Sequence, residues 1–351
     1  MSTTDVAIVG AGVIGTAVAW RAAQRGLTVT LFDPDPTRGA WRTAAGMLAP
    51  ITELHYAESA LLRLNLASLA RYPSFVEELG LPTGYRANGT LEVAWDAADL
   101  AALRDLHAFG TSLGLSSRLV DGAELRAIEP GLAPGLPGGL VADSDHQVDP
   151  RLLHAALTTA ARAAGVRFVA EEVRDLGALA AGQVVLAAGA WSGVLGGLPV
   201  RPVKGQTLRL RALSPLASGR VVRASVKGST VYIVPRENGD VVVGASSEEA
   251  GFDVTPRAGA VYELLRDAQT VLPELGEAEL VEVSTGLRPG TADNAPLLGR
   301  GEDGVILATG HYRNGVLLTP VTADAIATLL ATGETDPVIA PFTPSRTAVP
   351  A

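Results

Sequence analysis

Hydrophobic and polar residues alternate along this chain in two distinct registers. Asp5-Val6-Ala7-Ile8-Val9 runs apolar without interruption, and residues 4–9, 13–25 and 28–33 read as strand, helix and strand, a βαβ start. Helical patterning follows from about residue 57 to 79 and over 97–114, with the alternating strand-like segment 89–95 between them. Proline and glycine crowd 130–141, which reads as a crossover. Asp149-Pro150 then places a capping side chain and a first-turn proline ahead of a helix over 151–164. Strands are expected at 166–169 and 183–189, the second of the buried, parallel-sheet kind. From Lys204 to Ser284 the pattern changes to antiparallel-type strands at 205–212, 230–236, 240–245 and 279–284, with a helix over 258–272. A strand at 304–309, a glycine-bounded loop and a helix over 316–332 close the pattern. Residues beyond Phe342 look like a loose tail.

The first strand runs directly into Gly10-Ala11-Gly12-Val13-Ile14-Gly15. That strand, glycine turn and helix form the fingerprint that holds a dinucleotide pyrophosphate. Gly10 allows the tight turn, Gly12 lets the backbone approach the phosphates, and Gly15 lets the helix pack on the strand. The helix N-terminus offers free N–H groups to the anion. Asp33, closing the second strand, is placed to accept hydrogen bonds from ribose hydroxyls. Nucleotide-type elements at the start, middle and end imply an α/β fold: a Rossmann-like binding domain interrupted by a mixed or antiparallel-sheet substrate domain. The expected division is 1–84, 142–204 and 286–344 for the first domain, 85–141 and 205–285 for the second, and 345–351 for the tail. Such scattering favours a flavoprotein over a contiguous nicotinamide-binding block.

Composition narrows the chemistry. With 47% hydrophobic and 19% charged residues in 351, the chain can bury full cores. A formal charge of −9 argues against nucleic acid or an anionic membrane as partner. The absence of cysteine excludes disulfides, thiolate metal sites, thiol catalysis and a cysteinyl flavin bond. No apolar run approaches the roughly 20 residues that span a bilayer, and no basic leader precedes the first strand, so a cytoplasmic protein is expected. His55, His107, His146 and His154 show no metal spacing and are read as surface or structural. The carboxylates near Glu77 and Glu248 read as solvated faces.

Several segments together resemble the D-amino-acid oxidase superfamily of FAD enzymes, and within it the glycine oxidases of thiamine biosynthesis. They are Gly10–Gly15, Ala44-Ala45-Gly46-Met47-Leu48, Val203-Lys204-Gly205-Gln206, Tyr232-Ile233-Val234-Pro235-Arg236, Gly286-Leu287-Arg288-Pro289-Gly290-Thr291 and Gly310-His311-Tyr312-Arg313-Asn314-Gly315. The resemblance implies non-covalent FAD held by Gly10, Gly12, Val13, Ile14, Gly15, Asp33, Pro34, Arg42, Thr43, Val173 and Gly189. It places Ala45, Gly46 and Met47 against the isoalloxazine ring, and His311, Tyr312, Arg313, Asn314, Gly315, Val316 and Leu317 under its pyrimidine edge. A helix beginning there would stabilise the anionic reduced ring.

By the same resemblance Arg288 grips the substrate carboxylate, since a planar guanidinium holds a carboxylate bidentately. Tyr232 lies over the substrate, and Arg313 is a second substrate contact or the partner of a structural carboxylate. Thr230 and Ser247 stand where the family pattern carries histidine and methionine. No side chain is assigned as a general base or other catalytic group. The implied reaction is oxidation of glycine or a small amine such as sarcosine, D-alanine or D-proline to the imine and then the keto acid. Ammonia and H₂O₂ are released, oxygen is the acceptor, and the imine serves thiazole formation in thiamine biosynthesis. A homo-oligomer, a tetramer, is expected. The rivals are a D-amino-acid or sarcosine oxidase, a flavin dehydrogenase with another acceptor, and a non-catalytic nucleotide-binding partner.

Overall fold

The glycine turn sits where the opening pattern places it. The computed structural model describes residues 4–347. Its first unit is β1 (Thr4–Val9), α1 (Val13–Gln24) and β2 (Val29–Phe32), with β1 and β2 parallel. The two-residue β3 (Met47–Leu48) and the long α2 (Ser59–Leu79) follow. Next come β4 (Thr90–Ala94), α3 (Ala97–Ser112), β5 (Arg118–Asp121), α4 (Gly122–Ile128) and β6 (Gly138–Ala142). β7 (His146–Gln147) pairs with β3, and α5 (Pro150–Ala163) starts on the Asp149 carboxylate, which accepts the Arg151 and Leu152 N–H groups. β8 (Arg167–Val169), β9 (Ala181–Leu186) and the short α6 (Ser192–Gly196) complete the middle of the chain. Then β10 (Arg201–Arg211), β11 (Val221–Val226), β12 (Ser229–Pro235), β13 (Asp240–Gly244), α7 (Ala258–Val271) and β14 (Glu279–Gly290) form one antiparallel-rich block. β15 (Leu297–Arg300), β16 (Ile306–Thr309) and α8 (Thr319–Thr332) return to the first layer.

Two sheets organise the molecule. A six-stranded sheet, ordered β15-β16-β9-β1-β2-β8, is parallel except at its β15 edge. Helices α1, α2, α5 and α8 share its main core. An eight-stranded sheet, ordered β14-β10-β13-β12-β11-β4-β6-β5, carries a second core with α4 and α7. Among the described helices none is long and apolar enough to cross a membrane.

The structure corrects several expectations. The boundaries drawn at 204/205 and 285/286 fall inside β10 and β14, because these strands pair from Arg201 opposite Gly290 to Arg211 opposite Glu279, with one register shift between Arg209 and Leu210. The crossover at 130–141 contains most of β6, a fully buried strand. Its glycines are there for space, since a Cβ on Gly139 would stand 2.3 Å from the Glu92 carbonyl. β11 and β15 were not expected as strands. The last helix begins at Thr319 rather than 316, where Pro320 in its first turn sets the start. Residues 344–347 form a 3₁₀ turn, and Arg346 pairs with Asp293 at 3.0 Å, so this part of the expected tail is anchored. Residues 348–351 of that tail lie outside the described residues.

Candidate active site between the two sheets

One cavity of about 770 Å³ takes its walls from both sheets. Of the residues tied by resemblance to the cofactor, Gly10, Gly12, Val13, Ile14, Asp33, Pro34, Thr43, Ala45, Gly46, Met47, Val173, Gly189, His311, Tyr312, Arg313, Gly315 and Val316 line it. Gly15, Arg42, Asn314 and Leu317 do not. A Cβ on Gly15 would lie 1.9 Å from the Gly10 carbonyl, so this residue packs α1 against the turn. Arg42 is exposed, and its carbonyl accepts the Arg151 Nε–H. The Leu317 carbonyl accepts from Ser68 Oγ at 2.6 Å, and buried Asn314 leaves its Oδ1 without a protein partner. The candidates Arg288 and Tyr232 also line the cavity, as do Thr230 and Ser247.

At the nucleotide end, Asp33 braces the turn it faces. Its Oδ2 accepts the Ala11 N–H at 2.7 Å and its Oδ1 the Asp35 N–H at 2.9 Å. His154 is more specific than a surface histidine: its ring stacks on Trp41 at 3.9 Å and its Nε2 meets the Ala11 carbonyl at 2.8 Å. His55 lines the cavity as well. Burial lowers the pKa of both imidazoles, so each is more readily neutral than a free histidine.

The middle of the cavity is built from the Ala45–Met47 and His311–Val316 segments. Gly46 adopts φ 80°, and a Cβ there would collide with the Val148 carbonyl at 2.0 Å. Arg236 fastens this segment, donating to the carbonyls of Ala45 and Val148. Because α8 starts late, a 3₁₀ turn over Tyr312–Asn314 faces the cavity in place of the expected helix end. His311 donates to or accepts from Thr322 Oγ1 at 3.1 Å, and burial pushes its imidazole down to about 3. The unfolded chain therefore binds this proton near pH 6.5 while the folded protein resists it. Stability is expected intact above about pH 6.5 and falling as pH drops from there toward 3. Urea unfolding at pH 7.5 and 5.0 tests this: His311→Gln should flatten the decline, and an unaltered slope would place the acid sensitivity elsewhere.

The far end lies on the face of the eight-stranded sheet, where strand register sets a polar row. Glu92 on β4 stands opposite Arg223 on β11, and Arg223 stands opposite Tyr232 on β12. Tyr232 in turn faces Gly244 on β13. A Cβ on Gly244 would lie 2.5 Å from the Tyr232 ring, so the glycine lets the phenol lie flat across the floor. Gly205 does the same for Arg288, whose Nη1 would be 2.3 Å from a Cβ there. Tyr232 thus lies between two guanidinium groups, and burial raises its pKa, keeping the phenol protonated.

The three arginines at this end differ in their partners. Arg223 is held by Glu92 at 2.7 Å and Glu53 at 3.1 Å. Arg313 lies 3.3 Å from Glu58, so of its two expected roles the structure displays the pairing with a protein carboxylate. Arg288 donates to the Ser246 carbonyl at 3.1 Å and also bears on the Tyr232 phenol, and among the described residues it has no carboxylate partner. That carbonyl is itself held in place. Ser246 Oγ donates to Glu248 at 2.7 Å, and Glu248 pairs with the fully buried Lys204 at 3.2 Å. Glu248 is therefore no solvated carboxylate; it anchors the loop that positions Arg288. Arg223, Glu53, Glu92 and Lys204 escaped sequence reasoning as site residues, although Lys204 lies in one of the quoted motifs.

A family model described as FAD dependent oxidoreductase (DAO) matches residues 5–329. The chain is 35% identical to the glycine oxidase of Geobacillus kaustophilus, with 97% of each chain covered. The crystal structure of glycine oxidase from that organism superposes with a TM-score of 0.92 over 99% of both chains. The bifunctional protein ThiO/ThiG of Synechocystis sp. is 36% identical over 98% of this chain. The chain spans about half the length of that relative and its counterparts in Nostoc and Trichormus variabilis, 54–55%. The residues present fit FAD. A Cβ on Gly12 would meet nothing nearer than Trp41 Cδ1 at 3.9 Å, leaving the start of α1 open to the cavity. Its first-turn N–H groups, which helix geometry leaves without intrahelical acceptors, suit a pyrophosphate. Trp41 Nε1 and Arg313 Nε are buried donors without protein partners on residues that line the same cavity. By the family model and the full-length relative, this chain belongs to the DAO family of FAD-dependent oxidoreductases.

Proposed function

We propose that the chain oxidises the amine of glycine and similarly small amines or D-amino acids, including sarcosine, D-alanine and D-proline. The imine hydrolyses to the α-keto acid and ammonia while oxygen is reduced to H₂O₂. The observation that carries this reading is Arg288, a cavity-lining guanidinium with no carboxylate of its own and its position fixed by Ser246. Such a group takes a small carboxylate and thereby orients the adjacent Cα–H bond. Tyr232, protonated and flat on the floor, donates to the same carboxylate and covers it from water. FAD, when bound, supplies the two-electron acceptor for the amine carbon's hydride. Ala45, Gly46 and Met47, with the 311–316 turn, shape the space for its ring, while Gly12 and the start of α1 take its pyrophosphate. The relatives named glycine oxidase and ThiO/ThiG support glycine as substrate and delivery of its imine to thiazole formation in thiamine biosynthesis.

The purified protein should be yellow, and anaerobic glycine should bleach it. Turnover of glycine, sarcosine, D-alanine and D-proline is then compared, with peroxide measured under air. Fast D-alanine turnover with no glycine turnover would overturn the glycine assignment in favour of a D-amino-acid oxidase. Activity restored only by an artificial acceptor, without peroxide, would identify a dehydrogenase.

A further inference from the structure

Charge at the substrate end is divided unequally across Tyr232. On one side stands Arg288, without a carboxylate partner among the described residues. On the other stands Arg223, shared by two carboxylates, Glu92 at 2.7 Å and Glu53 at 3.1 Å. Counted as ionised groups, Arg288 leaves one excess positive charge on the first side, and Arg223 with Glu92 and Glu53 leaves one excess negative charge on the second, where buried Asp145 also acts on Arg223. Arg313 and Glu58, the neighbouring pair, cancel. Glu92 is buried behind Arg223 on β4, so the surplus is presented by Glu53, which lines the cavity. Glu53 Oε1 receives Arg223, while its Oε2 has no protein donor among the described residues.

The backbone holds Glu53 firmly. Fully buried Asp145 accepts the Ile51 N–H at 3.1 Å, the Thr52 N–H at 3.2 Å and the Thr52 hydroxyl at 2.7 Å. The Glu53 N–H closes the turn on the Ala49 carbonyl at 2.9 Å. A carboxylate fixed at both backbone and side chain, with one oxygen free, is preorganised for a donor that arrives with the ligand.

We propose that Glu53 is the second pole of the substrate site and receives the cationic amino group, so that the cavity recognises a zwitterion with its carboxylate on Arg288. This rests on the amine-oxidase reading and deepens it by adding a specificity-determining residue. An amino acid in water carries both charges, and a hydroxy acid of the same shape carries only the negative one. The site therefore discriminates by charge at the amine as well as by the carboxylate it shares with every small acid.

The test compares two ligands that lack a Cα hydrogen and cannot be oxidised: 2-aminoisobutyrate, which bears the ammonium, and 2-hydroxyisobutyrate, which does not. Each is titrated into the FAD-loaded protein by calorimetry. Glu53→Gln keeps the size of the side chain and a hydrogen bond to Arg223 but removes the charge. It should weaken 2-aminoisobutyrate on the order of tenfold while leaving 2-hydroxyisobutyrate within about twofold. Glu53→Asp should recover part of the loss. Arg288→Ala should weaken both ligands. Equal effects of Glu53→Gln on the two ligands, or none, with Arg288→Ala still damaging both, would overturn the role of Glu53 and leave the proposed function standing. If Arg288→Ala changes neither, the amine-oxidase reading of the cavity itself fails. Should the branched ligands be too bulky to bind wild-type protein, the KM for glycine decides: it should rise on the order of tenfold in Glu53→Gln, and an unchanged KM refutes the inference.

Discussion

Arg288→Ala is expected to weaken binding of the substrate carboxylate by about 2–5 kcal/mol, thirty-fold or more in Kd, with FAD still bound. The size of the effect follows from the absence of a substitute. Arg223 and Arg313 line the same cavity but are committed to Glu92, Glu53 and Glu58. Moving either to the vacated position would leave a carboxylate without its partner. The guanidinium also lies over Gly205, so its removal opens the floor of the site and admits water where the carboxylate would sit. Titrating acetate or glycolate into FAD-loaded wild type and variant separates this loss from damage to the cofactor site. Equal affinities in the two proteins would remove Arg288 from substrate binding.

Gly10→Ala should be as damaging at the other end of the cavity, costing about 2–6 kcal/mol of stability and the FAD with it. Two costs add. Gly10 has φ 107°, a conformation that burdens a side chain by about 1–3 kcal/mol. Its Cβ would also stand 2.4 Å from the Ala187 carbonyl oxygen and 2.8 Å from Ala188 Cα, and overpacking of this kind costs about 1–3 kcal/mol. Both obstacles are backbone atoms, so no side-chain rotation relieves the clash. The turn cannot retreat easily, because the Gly10 N–H is bonded to the Phe32 carbonyl at 2.8 Å and the Ala187 N–H to the Val9 carbonyl at 2.8 Å. Urea unfolding together with the FAD-to-protein ratio after purification measures both losses. A variant with wild-type stability and full FAD content would show that the turn is not built as described.

The parts of the fold legible in the chain are those whose contacts are local or repeat with a simple period. β1, α1 and β2 follow from a buried apolar strand, a glycine turn and a second strand. α5 announces itself through the Asp149 cap and Pro150. β6 was hidden because its glycines answer to close neighbouring strands, a cause that lies far away in the chain. β10 and β14 extend beyond the expected 205–212 and 279–284 because each is the other's partner along the ribbon, where Gly205 leaves room for Arg288. The late start of α8 depended on Pro320, one residue among many small ones.

For the site the division is similar. The glycine turn, Asp33 and the 310–317 loop carry their meaning in consecutive residues, so a nucleotide cavity could be inferred from the chain alone, and motif resemblance added FAD. Arg288 was singled out by the resemblance of the motif around it, Gly286-Leu287-Arg288-Pro289-Gly290. Which arginine remains without a carboxylate, and which carboxylates surround Arg223, could be decided only by register. Glu92, Arg223 and Tyr232 come from three strands and meet because β4, β11 and β12 align them side by side. Glu53 joins them from a turn held by Asp145, more than ninety residues away in the chain. Local sequence carries turns, caps and periodicity, because those are interactions between near neighbours. The balance of charge in the cavity is a sum over distant residues, and only the folded sheet brings its members close enough to interact.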